Sequence, residues 1–228
     1  LAPFFVLIFV KKKLVSTLQS YIRQGEHQTQ DFKFRVDDAK KIARTISAFA
    51  NTDGGRLLIG VKDNGKVVGV DPEEEFHIIQ GAAELFCDPP VPIQTVIWQD
   101  EYKLVLEVIV EASPVRPHKS KDDDGLWKTY IRHHDHTLIA NKILVGVWNF
   151  RKKGVEKPQQ FSEDEMNFLE LFKTNQKFTL SRLYRLSQLK KSKVDHLLKL
   201  FITWEILEME IIPEGTFYCS GLQQTERV

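Results

Sequence analysis

The stretch Asn51-Thr52-Asp53-Gly54-Gly55-Arg56-Leu57-Leu58-Ile59-Gly60-Val61-Lys62-Asp63-Asn64-Gly65 holds a turn, a strand and a second turn. Residues 51–55 are small or polar and reach positive φ readily, which suits a tight turn. Residues 56–61 form an almost continuous apolar run, the pattern of a central strand. Lys62-Asp63-Asn64-Gly65 places Asn-Gly at a hairpin tip, so residues 66–70 are expected to return as a paired strand.

Upstream, Leu14, Leu18, Tyr21 and Ile22 share one face of a helix over 14–23 that Gly25 ends. Residues 31–35 alternate as a short strand. Asp37 or Asp38 caps a helix through Phe49, whose inward stripe is Ala39, Ile42, Ile46 and Phe49. Downstream, Pro72 opens a helix to about Phe86, stopped by Asp88-Pro89-Pro90. Strands 94–99 and 103–112 follow, with Val105, Glu107, Ile109 and Glu111 expected on an exposed face. Residues 114–125, rich in Pro, Lys and Asp, are expected to be a mobile loop. Residues 127–133 read as a strand and 140–150 as a helix. This pattern predicts an α+β fold with a mixed or antiparallel sheet and flanking helices.

Residues 151–160 are polar and contain Pro and Gly, as a linker would. Beyond them, Ser162 and Glu165 form a capping box for a helix to about Lys173. Thr179 caps a second helix to Leu186, and a third spans about 191–204 with Val194, Leu197, Leu198 and Phe201 inward. A hairpin of 208–212 and 216–220 around Pro213-Glu214-Gly215 completes the order of a winged helix-turn-helix. The expected organisation is an apolar arm or end artefact over 1–13, an α/β domain over 14–150, the linker, and a winged-helix domain over 161–222. The arm, with its lysines after the apolar run, lacks the charge order of a secretory signal and is too short to span a bilayer. It is expected to pack on this chain or on a second copy in a homodimer. Two widely spaced cysteines, Cys87 and Cys219, suit a reducing cytoplasm and are read as buried apolar residues. No membrane partner is expected.

Net charge is only +1, but it is unevenly placed. From Lys173 to Lys199 eight basic residues stand against one acid, Asp195, a local balance of +7. Arg182, Arg185, Lys190, Lys191, Ser192 and Lys193 are the expected nucleic-acid contacts there, because the third helix of such a domain opens onto base edges and phosphates. The acidic Glu214 at the hairpin tip argues against a wing that grips DNA.

Asp31-Phe32-Lys33, the segments 48–55 and 58–70, and Tyr130-Ile131-Arg132 together resemble the Schlafen AlbA-type domain over about residues 20–145. Bacterial members of that family often carry a C-terminal winged helix. The resemblance implies nucleic-acid binding, with duplex DNA favoured over RNA and Lys33 and Arg132 as further contacts. In some animal members the related domain cleaves RNA with clustered carboxylates, which match Glu26, Asp31 and Asp63 here. Three carboxylates hold a divalent metal against a phosphate. This chain departs from that pattern: Asp31 is shorter than the usual Glu, and Lys62 stands where an acid is frequent. Some relatives are labelled ATP-binding, yet Gly55 to Lys62 lacks the spacing of a phosphate loop. No cofactor is implied. Asn51, Thr52, Gly54 and Gly55 are expected to offer backbone N–H groups to a nucleic-acid phosphate. His133, His134 and His136 lack zinc-site spacing and read as a polar strand end. Three functions follow: a DNA-binding transcriptional regulator, a metal-dependent ribonuclease, or a protein-interaction module.

Overall fold

The computed structural model describes residues 8–9, 15–174 and 176–221. By contacts the chain forms two compact units, Leu1–Ile139 and Ala140–Val228.

In the first unit a five-stranded sheet runs β1-β5-β6-β3-β2. Its strands are β1 (Ile8–Phe9), β2 (Gln30–Lys33), β3 (Gly55–Ile59), β5 (Gln94–Asp100) and β6 (Lys103–Val110). β2 pairs parallel with β3, and β1 parallel with β5; the other pairs are antiparallel, so the sheet is mixed. Of the apolar arm, only Ile8 and Phe9 are described, and they extend the sheet at β5. The helices are α1 (Val15–Gln24), α2 (Ala39–Asn51) and α3 (Pro72–Leu85). Asp38 caps α2 by accepting from the Lys40 and Lys41 amides, and Asp71 caps α3 in the same way.

The sheet is buried on both faces. On one, Leu57, Ile59, Leu106 and Val108 meet Ile42, Ile46 and Phe49 of α2 and Ile79 and Ala83 of α3. On the other, Phe32, Leu58, Trp98 and Val105 meet Leu18, Tyr21 and Ile22 of α1. The face expected to be exposed is therefore covered at its centre: Val105 is fully buried and Glu107 is 3% exposed. Alternating carboxylates suggested solvent, but α1 covers this face and Glu107 has polar partners in the interior.

Two other expectations are corrected. Residues 66–70 do not return as a strand; a single bridge joins Val61 to Val67. Gly60 (φ +99°) and Gly69 (φ +82°) bend the chain instead, and the Val68 and Gly69 amides both donate to the Gly60 carbonyl. Residues 114–125 hold a strand, β7 (Lys119–Lys121), in a second sheet ordered β4-β7-β8-β9. Its other members are β4 (Cys87–Asp88), β8 (Trp127–His133) and β9 (His136–Ile139). α2 packs against β7 and β8.

The second unit comprises α4 (Lys142–Lys152), α5 (Glu163–Glu170), α6 (Leu180–Leu186), α7 (Lys191–Thr203) and a hairpin of β10 (Leu207–Ile212) and β11 (Gly215–Ser220). The capping box at Ser162 and Glu165 is formed, and Thr179 caps α6. α5 ends at Glu170 rather than near Lys173. Val194, Leu197, Leu198 and Phe201 of α7 meet Phe168, Leu183, Tyr218 and, from α4, Ile143 and Val147. α4 lies close to α7 because Gly146 has no side chain: a Cβ there would stand 2.6 Å from the Lys199 chain. The segment expected to be a linker starts inside α4, and the Val155 carbonyl accepts from Trp204 Nε1 at 3.0 Å. No helix among the described residues is long and apolar enough to cross a membrane.

Candidate nucleic-acid interface

Two clusters of charged side chains, one in each unit, are the places where the sequence predicts function. In the first, β2 and β8 bring Asp31 and Arg132 together inside the unit. Arg132 Nη2 donates to Asp31 Oδ1 at 2.9 Å, and the two side chains are 3% and 7% exposed. The guanidinium also donates from Nε to the His134 carbonyl at 3.0 Å and lies 5.3 Å from the Phe49 ring centroid. Lys33 pairs with the same carboxylate and donates to the Phe32 carbonyl at 2.8 Å. Arg132, expected to meet phosphate, is instead spent on a buried ion pair. The reason is chemical: a buried Asp31 needs a cation nearby, and β8 supplies one.

Glu26 stands beside this pair and accepts from the Phe32 amide at 2.9 Å. Burial pushes its carboxyl above the usual range; the Phe32 hydrogen bond partly opposes this, and nearby Asp31 adds to it. His27 is shifted the other way, chiefly by burial and then by the cations Arg56 and Arg132. Asp63, the third expected carboxylate, sits exposed in the turn after Val61. Among the described residues no three His, Cys, Asp or Glu side chains gather in a way that could hold a metal ion. Glu26, Asp31 and Asp63, with two cations on Asp31, do not fit a divalent metal in this arrangement. The histidines form the β8–β9 turn, with His133 paired to His136.

The turn of residues 51–55 is also directed inward. Asn51 is 1% exposed; its Nδ2 donates to the His118 and Tyr130 carbonyls and its Oδ1 accepts from the His118 amide, each at 2.8 Å. The Thr52 and Gly54 amides both donate to the Phe49 carbonyl. A Cβ on Gly54 would stand 2.7 Å from the Val110 carbonyl oxygen, and one on Gly55 would strike the Phe49 ring. These residues join α2 to β3 and tie both to the second sheet. Of the amides expected to face a phosphate, those of Thr52 and Gly54 are therefore occupied.

In the second unit the cations face outward. The turn between α6 and α7 passes through Gln188 at φ +55°, and α7 opens at Lys190. Arg182, Arg185, Lys190, Lys191 and Ser192 are all exposed. Arg182 stacks 5.0 Å from the Phe178 ring and Lys191 lies 5.6 Å from Tyr184. Among the described residues none of these four cations forms an ion pair. Other members of the basic run are partly neutralised: Lys173 by Glu170, Lys177 by Glu210 and Lys193 by Asp164 at 3.7 Å. The lone acid, Asp195, is itself answered: Tyr184 Oη donates to it at 2.6 Å and Lys142 Nζ pairs with it. Lys142 was not among the expected contacts, because its helix was assigned to the other domain; the only signal for it was the unpaired Asp195.

The first unit is thus an α+β domain with a mixed sheet. The chain belongs to the Schlafen AlbA_2 family, whose profile matches residues 26–141. A comparison with curated proteins finds no match. Among solved structures the chain is similar to the DIP2311 protein of Corynebacterium diphtheriae, with 16% identity over 91% of this chain and a TM-score of 0.44. This chain spans 38% of that protein's length. It is also similar to the N-terminal domain of a RecG-related protein from Nitrosomonas europaea, with 24% identity, a TM-score of 0.41, and coverage of 53% of this chain and 88% of that one.

Proposed function

We propose that this protein binds nucleic acid, and that its C-terminal unit is a winged helix that docks on duplex DNA as part of a transcriptional regulator. The observation that carries this reading is the exposed set Arg182, Arg185, Lys190 and Lys191 where α6 turns into α7, none of which forms an ion pair among the described residues. In such a unit α7 enters the major groove by its N-terminal turn. Lys190 and Lys191 neutralise phosphates there, and Ser192 reaches a phosphate or base edge. The absence of any acid in the first turn of α7 keeps that end electropositive, adding to the helix dipole. The hairpin of β10 and β11 carries Glu208, Glu210 and Glu214, so it is not the phosphate-gripping element. Membership of the Schlafen AlbA_2 family supports a nucleic-acid partner for the first unit as well.

The test is a fluorescence anisotropy titration of labelled duplex DNA at several salt concentrations, with wild type and Lys190→Glu/Lys191→Glu. The reading expects affinity to fall steeply with salt, and the double variant to lose at least tenfold in affinity, on the order expected for two phosphate contacts. Wild-type affinity for duplex that is absent at low salt contradicts it and leaves a protein partner for the second unit.

A further inference from the structure

We infer that the first unit carries a stacking platform for single-stranded nucleic acid, centred on Phe34. This inference does not depend on α7. β2 ends at Lys33, and the Lys33 carbonyl accepts from both the Gly60 and Val61 amides, at 2.8 and 3.3 Å. That pair of bonds fixes the chain after β3 alongside the chain after β2. It sets Lys62 next to Phe34, with Lys62 Nζ 5.4 Å from the ring centroid. Arg35 flanks the same ring, its Cζ 5.8 Å from the centroid. Phe34 is 47% exposed, although Phe32 and Val36, two positions to either side, are buried in the two cores.

An exposed ring just beyond the end of β2, with the cations Lys62 and Arg35 close to it, has the chemistry of a base-stacking site. The ring face accepts any nucleobase, and the flanking cations meet the phosphates on each side of it. Arg35 is paired with Asp37, but both side chains are more than half exposed, so the pair is weak and a phosphate competes for the guanidinium. Asp63 follows Lys62 in the exposed turn and limits the positive field. Stacking therefore contributes more than charge, and the salt dependence is shallow. A duplex does not satisfy this site, because its bases already stack on one another and present only their edges.

The experiment uses the full chain with labelled 12-nucleotide oligo(dT), oligo(U) and a duplex of mixed sequence. Phe34→Ala is expected to weaken single-strand binding on the order of tenfold and to leave duplex binding unchanged. Phe34→Trp is expected to retain single-strand binding, and its indole fluorescence to be quenched by the oligonucleotide. Lys62→Ala is expected to lower the salt slope by about 0.7, the value for one phosphate on a single strand. Lys190→Glu/Lys191→Glu, in contrast, is expected to lose duplex binding and keep the single strand. Because Phe34 is exposed, its variants are expected to keep the wild-type melting temperature. The inference is overturned if wild type binds neither oligonucleotide, if Phe34→Ala binds them as wild type does, or if it loses strand and duplex equally.

Discussion

The cluster around Asp31 and the opening of α7 are built from the same kinds of residue and treat them in opposite ways. Around Asp31 the cations are drawn inward: Arg132 is 4% exposed and both it and Lys33 are held by one carboxylate. At α7 the acid is answered from elsewhere, by Lys142 and Tyr184, and Arg182, Arg185, Lys190 and Lys191 stay in solvent. A basic residue beside a recognised motif is thus no guide to phosphate contact until its carboxylate partner is known. The interior pair holds two sheets together; the exposed set is available to a ligand.

If this contrast is right, the largest effect on stability comes from Arg132→Ala. It leaves Asp31 buried with Lys33 as the one cation paired with it among the described residues, and breaking such a pair costs about 3–5 kcal/mol. Urea denaturation measures it, and a cost below about 1 kcal/mol would mean the pair is not the anchor described. Asn51→Ala comes next: it removes three buried hydrogen bonds between α2 and the second sheet, for about 2–4 kcal/mol in the same measurement. Thr179→Ala removes the cap of α6 and costs about 1 kcal/mol.

The smallest effect is on pH dependence. The Glu26 carboxyl is raised in the folded chain, so its contribution to stability is full below the unfolded value and is lost as pH rises through the folded one. Glu26→Gln keeps an acceptor for the Phe32 amide and removes the charge. Its melting temperature relative to wild type is therefore expected to climb as pH is raised from about 4 towards neutrality. A difference that stays flat with pH would remove burial of the Glu26 charge from the account.

Much of the architecture was legible because it rests on local patterns. The caps at Asp38, Ser162 and Thr179 and the apolar stripes of α2 and α7 are written in a few neighbouring residues. Long-range partners were not legible. The Val105 and Glu107 face looked solvated because nothing local shows that α1 lies across it. Residues 66–70 looked like a returning strand because Asn64-Gly65 has hairpin chemistry, whereas the positive φ of Gly60 and Gly69 decides the path. α4 read as the end of the first domain, yet Gly146 seats it against α7. For the candidate site the same division holds: the basic opening of α7 was visible as a run of residues, while the fate of Arg132 and Asn51 depends on partners about 100 and 70 residues away.

The most direct test is a lysine-labelling footprint of the whole chain by mass spectrometry, using an amine-reactive ester with and without duplex DNA. In the free protein, Lys190 and Lys191 are expected to react quickly and Lys33, held by Asp31, slowly. Duplex DNA is expected to protect Lys190 and Lys191 and leave Lys33 unchanged. Fast labelling of Lys33 in the free protein, or duplex protection of Lys33 without protection of Lys190 and Lys191, would contradict the division into an inward-facing and an outward-facing cluster.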